Sequence, residues 1–180
     1  MPMDLIVAKE NEISGQLDSA IRKILIACCP HHTDEFLRGR TLNDHVIVLT
    51  SVLQDGDIAA AHAAVIDTTI LAGSTKLHVA GVANVCVLPE YRGSRLSHRV
   101  LTAAMEKAGT MDFDISMLFC TPELKKIYAR AGFIEITDRS FACIENGEQT
   151  HLPPEKIRMY FPLGMPKFPD GPVDLLGCRW

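Results

Sequence analysis

Apolar positions along this chain repeat with two different periods, and the alternation between them sets out the elements. Leu5 to Ala8 reads as a short first strand. Leu17, Ile21, Ile24, Leu25 and Cys28 then recur at helical spacing, so the pattern predicts an amphipathic helix over about 15–29, stopped by Pro30. His45 to Leu53 and Ile58 to Ile70 are β-branched and apolar strands joined by Gln54-Asp55-Gly56-Asp57, where Asp-Gly is a hairpin signal. Ala72-Gly73-Ser74 turns the chain again into a strand from Lys76 to Val87. A helix over 95–108 follows, stopped by Gly109, and then a strand from Asp114 to Cys120. Thr121 with Pro122 behind it fits the start of a helix that runs to Ala131 and ends at Gly132. Phe133–Thr137, Ser140–Glu145 and Lys156–Leu163 complete the strands. The order predicts an α/β (α+β) domain: a mixed, mostly antiparallel sheet with an antiparallel meander and one strand–helix–strand crossover.

The chain of 180 residues shows no internal repeat, and residues 1–180 read as one domain. Six of its ten prolines fall in the tail from Leu152 to Trp180. Leu163, Phe168, Val173, Leu175 and Leu176 give that tail apolar anchors, so it is expected to pack on the body as an ordered segment. The net charge of −4 argues against a nucleic-acid partner and for a cationic small molecule. No apolar run approaches the roughly 20 residues that span a membrane, and Met1-Pro2-Met3-Asp4 lacks a secretory pattern. The expected setting is therefore cytoplasmic, with Cys28, Cys29, Cys86, Cys120, Cys143 and Cys178 as free thiols.

One segment carries the most chemistry. Val85-Cys86-Val87-Leu88-Pro89-Glu90-Tyr91-Arg92-Gly93-Ser94-Arg95-Leu96-Ser97 reads as a strand entering a glycine turn that opens a helix. Such a turn gathers free N–H groups at the positive end of a helix, a ready site for phosphates. Pro89 ends ladder donation just before it, which leaves a strand edge for an extended arm.

Those residues, with Tyr128-Ala129-Arg130-Ala131-Gly132-Phe133, resemble the GCN5-related N-acetyltransferase superfamily over about 46–136. At the turn the family has Arg or Gln, two residues, Gly, one residue, then Gly or Ala. Arg92 matches, whereas Arg95 stands for the first glycine and Ser97 for the second small residue. Ala60–Ile66 and the terminal Trp180 resemble aminoglycoside 2′-N-acetyltransferases; Leu96-Ser97-His98 and Tyr160–Gly164 resemble nodulation N-acyltransferases. The resemblance implies the GNAT fold and direct acetyl transfer from acetyl-CoA to an amine, without a metal. It implies that Val85, Cys86 and Val87 hold the pantetheine arm, and that Arg92, Gly93, Ser94, Arg95, Leu96 and Ser97 hold the pyrophosphate. It assigns Tyr128 as the acid that protonates the thiolate and the Val87 N–H as oxyanion donor.

The strand before the motif, Gly81-Val82-Ala83-Asn84, lacks the carboxylate that many relatives use as base. His62 is the candidate in its place, with a water relay through Asn84 or the C-terminal carboxylate as another route. Asp34 and Glu35, read as lying in the loop after the first helix, with Asn84 and Trp180, are candidates for the acceptor amine. Cys28-Cys29-Pro30-His31-His32 lacks the second ligand pair that zinc sites use, and nothing basic adjoins Cys120 as a nucleophile. Three functions stay open: acetylation of a small cationic amine such as an aminoglycoside, acylation with a longer donor or of a protein amine, and acyl-CoA sensing without catalysis. The helix and tail surfaces leave room for a homodimer.

Overall fold

A computed structural model describes residues 3–43 and 45–180; Met1 and Pro2, part of the N-terminal stretch considered above, and Asp44 lie outside the described residues. The chain divides into two compact units, one of residues up to Ile66 with Val82–Lys107, the other of Asp67–Gly81 with Ala108–Trp180. Two long strands, β3 (Ile58–Ala72) and β4 (Thr75–Val87), run through both.

In the first unit β1 (Asp4–Lys9) pairs antiparallel with β2 (Ile47–Asp55), from Asp4↔Gln54 to Lys9↔Leu49. β2 turns into β3 through Gly56 and Asp57, with Gly56 at φ 60° as the Asp-Gly signal requires. Helix α1 (Gly15–Cys28) starts where the Ser14 hydroxyl accepts the Leu17 N–H at 3.2 Å. It stops before Pro30. Its stripe of Leu17, Ala20, Ile21, Ile24 and Leu25 packs with Phe36, Val52, Ala59 and Cys86. Full burial of each large side chain in that stripe contributes about 1.5–3 kcal/mol. Helix α2 (Thr33–Arg38) occupies part of a stretch read as loop, held by Phe36, which is 1% exposed. Helix α3 spans Leu96–Ala108.

In the second unit β5 is Ile115–Cys120, β6 Ile134–Glu135, β7 Phe141–Glu145, β8 Glu148–His151, β9 Ile157–Pro162 and β10 Val173–Asp174. The strand order is β6-β9-β5-β4-β3-β10-β7-β8. β4 and β5 are parallel over Val79–Gly81 against Ile115–Met117, and the other pairs are antiparallel apart from β10 with β7. The core joins Ile70, Leu77, Ile115, Met117, Phe141 and Tyr160.

Four expectations change here. The strand expected over 133–137 shortens to two residues, because Asp138 turns the chain at φ 55°. The helix expected from Pro122 begins as a 3₁₀ turn, Pro122–Leu124, and continues as the six-residue α4 (Lys125–Arg130); Thr121 gives no side-chain cap. β8 was not foreseen, although Asn146 (φ 53°) and Gly147 (φ 81°) form the Asn-Gly turn that favours a hairpin. The tail is more than a packed segment, since Val173 and Asp174 join the sheet between β3 and β7. Phe168, Val173 and Leu175 are its buried anchors, whereas Leu176 is exposed. Gly73 and Gly171 allow the tail to cross the β3–β4 turn: Gly73 N–H donates to the Pro172 carbonyl at 2.8 Å, and a Cβ on Gly73 would sit 2.4 Å from the Asp170 carbonyl oxygen.

Candidate active site

β4 bends before its end at Asn84, which adopts φ 52°. The strand then finishes at Val87, and Leu88 N–H bonds the Ala60 carbonyl at 3.0 Å. Pro89–Tyr91 forms one 3₁₀ turn, pinned by the Tyr91 hydroxyl donating to Asp55 Oδ2 at 2.9 Å. Arg92, Gly93, Ser94 and Arg95 follow, all exposed. Gly93 lies at φ 83° and Arg95 at φ 56°, so two left-handed residues swing the chain onto the axis of α3. The Arg95 carbonyl accepts the Arg99 N–H at 3.2 Å, which makes Arg95 the residue before the helix and not its first member, as the sequence pattern had it. The left-handed backbone explains why glycine suits this position; arginine holds it at a cost of about 1 kcal/mol or more.

The first turn of α3 carries no acidic residue. Its N–H groups and positive dipole end, with Arg92 and Arg95 exposed beside them, suit a diphosphate. Arg92 Nε also donates to the Val87 carbonyl at 3.2 Å, tying the turn to the strand end. Leu96 is buried, and Ser97, Val85 and Val87 are half-buried. Residues 85–97 thus form a strand end, a turn and a helix start, in the order the sequence pattern predicts. Cys86 contributes backbone there while its side chain, 6% exposed, points into the α1 packing.

His62 and Asn84 also come together, in an arrangement of another kind. His62 is fully buried, and its Nδ1 stands 2.8 Å from the Asn84 carbonyl oxygen. Burial, with a smaller push from Arg40, depresses its pKa to about 4 against the pull of that hydrogen bond. The ring is neutral at pH 7, with Nδ1–H the donor to the carbonyl. This geometry suits a core hydrogen bond, with the side chain out of contact with solvent. Asn84 Nδ2 donates to the Arg40 carbonyl at 2.6 Å. Arg40 itself is buried, with Thr50 Oγ1 at 3.2 Å, Asp18 at 2.9 Å and Glu10 as a further partner. This buried arginine network, which gave no periodic signal in the sequence, anchors the loop at the Asn84 bend.

Asp34 and Glu35 lie in the first turn of α2, exposed, and not in a loop. Its own backbone N–H and neighbouring His32 hold Glu35 below the usual carboxylate range. In the second unit Tyr128 is 8% exposed on α4, edge-on to Phe133 with centroids 6.2 Å apart. Gly132 closes that helix at φ 93°, and a Cβ there would stand 2.9 Å from Phe161. Trp180 packs edge-on to Phe119 at 5.1 Å. Both line a cavity of about 130 Å³ with Leu152, Lys156 and Arg179. Among the described residues no group of three His, Cys, Asp or Glu is placed to hold a metal. Among the described residues no helix is long and apolar enough to cross a membrane.

An acetyltransferase (GNAT) domain model matches residues 8–136, well over half of the chain. The chain belongs to the GNAT acetyltransferase family. A comparison with curated proteins gives no match. Solved structures supply fold likeness: the GNAT N-acetyltransferase YhbS of Escherichia coli in complex with CoA is 16% identical, with 97% of this chain and 91% of that one covered at TM-score 0.64. Escherichia coli ElaA is 15% identical over 88% of this chain and 99% of that one, at TM-score 0.62. A GNAT acetyltransferase of Brucella melitensis in complex with acetyl-CoA is 17% identical over 94% of each chain, at TM-score 0.58. A GCN5-related N-acetyltransferase from Kribbella flavida matches at 20% identity and TM-score 0.56, and this chain spans about a third of its length. The mixed sheet with its four α-helices among the described residues is thus the GNAT fold, carried by a GNAT acetyltransferase domain.

Proposed function

We propose that this GNAT enzyme transfers acetyl directly from acetyl-CoA to a primary amine. The observation that carries the reading is the turn Arg92–Arg95, exposed, twice left-handed and leading into an acid-free helix start, inside the matched family domain. Those N–H groups and the two arginines would hold the pyrophosphate. The N–H groups of Val85 and Val87 would pair with the pantetheine arm as an added strand, and that of Val87 would meet the developing oxyanion. The amine nitrogen forms the new bond to the acetyl carbon, the carbon–sulfur bond breaks, and Tyr128 delivers a proton to the CoA thiolate, while the proton the nitrogen gives up passes to solvent water, from which the phenolate is reprotonated.

An aminoglycoside is the first acceptor to try, supported by the resemblance of Ala60–Ile66 and Trp180 and by the exposed Asp34 and Glu35. One observation favours a second acceptor class. The cavity at Trp180 joins two aromatic rings to Lys156 and Arg179, a lining that suits an amine carried on an apolar, anionic molecule. The test is acetylation of both classes by the wild type and Tyr128→Phe, with products identified by mass spectrometry. Loss of turnover with retained acetyl-CoA binding supports the role of Tyr128; unchanged turnover refutes it.

A further inference from the structure

The end of α1 brings a vicinal pair of thiols onto β4. Cys28 and Cys29 pack against the cluster that holds Cys86, which is 6% exposed, while both members of the pair are half-buried and within reach of solvent. The Cys28 thiol donates to the Val87 carbonyl at 3.6 Å, so it stands beside the residue that follows Cys86. The same carbonyl accepts Arg92 Nε, and Arg92 also acts on Cys28 directly. The sequence reading placed Cys28 on a helix stripe, Cys28 and Cys29 in a rejected metal motif and Cys86 in the strand for the pantetheine arm, and the proposed acetyl-transfer chemistry makes no use of their side chains.

We propose that Cys28, Cys29 and Cys86 form a peroxide-reactive thiol site, in which oxidation joins Cys86 to Cys28 as a disulfide. Hydrogen bonding within the cluster favours the reactive form. Hydrogen bonding with Cys86 is the largest influence on both members of the pair, and holds Cys28 at about 7 and Cys29 at about 6, with help from Arg92 and His32 respectively. The same hydrogen bonds, together with burial, push the Cys86 thiol up, so it waits as the protonated partner. In the first step the Cys28 thiolate sulfur attacks one oxygen of hydrogen peroxide; the O–O bond breaks, and the departing hydroxide takes a proton to leave as water. In the second the Cys86 sulfur attacks the Cys28 sulfenic acid, the S–O bond breaks, and the Cys86 proton leaves with the hydroxyl as a second water. Two thiols thus give up two electrons to one peroxide, with one disulfide and two waters formed.

The consequence rests on the proposed function. Cys86 lies between Val85 and Val87, whose N–H groups are assigned to the pantetheine arm. A covalent tie from α1 to Cys86 moves that rung and the Arg92 contact on Val87, so oxidation weakens acetyl-CoA binding.

The experiment treats the full chain with one equivalent of hydrogen peroxide, blocks the remaining thiols with iodoacetamide, and maps the digest by mass spectrometry. The expected result is a peptide pair linked through Cys28 and Cys86, lost on treatment with dithiothreitol. Cys86→Ala is expected to leave a Cys28 or Cys29 sulfenic acid that dimedone traps, whereas Cys143→Ala keeps the link. If Cys86→Ala does not fold, Cys28→Ser reports in its place by abolishing the Cys28–Cys86 pair. A Cys28–Cys29 link with Cys86 alkylatable after unfolding, or no link at all, overturns the proposal. Acetyl-CoA affinity measured on the same oxidised sample is expected to fall about tenfold. A link with unchanged affinity leaves the thiol site standing and refutes its coupling to the pantetheine rung.

Discussion

Acid should destabilise this protein through His62 in a way that a single substitution removes. The ring is fully buried, and its pKa falls from the ordinary 6.5 to about 4, chiefly because burial penalises the charged form. The unfolded chain therefore binds a proton, as pH drops below about 6.5, that the folded chain refuses until about pH 4. Stability from this residue is fully present above 6.5 and is lost as pH falls through that window. The loss is about 2 kcal/mol at pH 5 and about 3 kcal/mol near pH 4. For a chain of this size, 2 kcal/mol corresponds to a melting temperature lower by about 4–8 °C. Urea unfolding at pH 7.5 and pH 5 should be compared between the wild type and His62→Gln, whose amide can still donate to the Asn84 carbonyl. The variant is expected to lose about 2 kcal/mol less than the wild type over that interval, other titrating groups cancelling in the difference. Equal acid losses in the two proteins would refute the neutral core histidine and return His62 to consideration as a base.

Other substitutions probe the remaining parts. Tyr128→Phe is expected to lower kcat by about 10²-fold with little change in acetyl-CoA affinity, by steady-state kinetics and calorimetry. Gly93→Ala places a Cβ in open space but at φ 83°, so it should cost about 1–2 kcal/mol locally and raise KM for acetyl-CoA while the melting temperature moves little. Gly73→Ala meets the Asp170 carbonyl oxygen at 2.4 Å in addition to an unfavourable φ, and should lower stability by about 3 kcal/mol or more, as read by thermal denaturation. Acetyl-CoA affinity should weaken with added salt if exposed Arg92 and Arg95 meet its phosphates, and a salt-independent constant would count against that placement.

Long periodic segments are legible in the sequence alone. The Leu17–Leu25 stripe, the Asp-Gly turn and the two long strands β3 and β4 carry their periods over enough residues to outweigh local exceptions. The strand–turn–helix at 85–97 was legible for the same reason, with glycine and proline marking its turn. What escaped was held by tertiary partners. β10 has two residues, and its place depends on bonds such as Val173 N–H to the Ser140 carbonyl and on glycine contacts far apart in sequence. α2 has six residues and one buried anchor, too few for a helical period to show. His62 stood in an apolar strand in either role, and only the Asn84 carbonyl and complete burial distinguish a core histidine from a base. Arg40 and the Cys28–Cys29–Cys86 cluster join residues tens of positions apart, which no local pattern encodes.

The most direct test of the central claim is to incubate the protein with acetyl-CoA and a panel of amines and identify the products by mass spectrometry. The panel should include aminoglycosides with and without a free 2′-amine and amino acids with apolar side chains. The account predicts acetylation of at least one primary amine, dependent on acetyl-CoA and saturable in it, with an equal amount of CoA released. Failure to bind acetyl-CoA by calorimetry, together with no acetylated product from any amine, would contradict it.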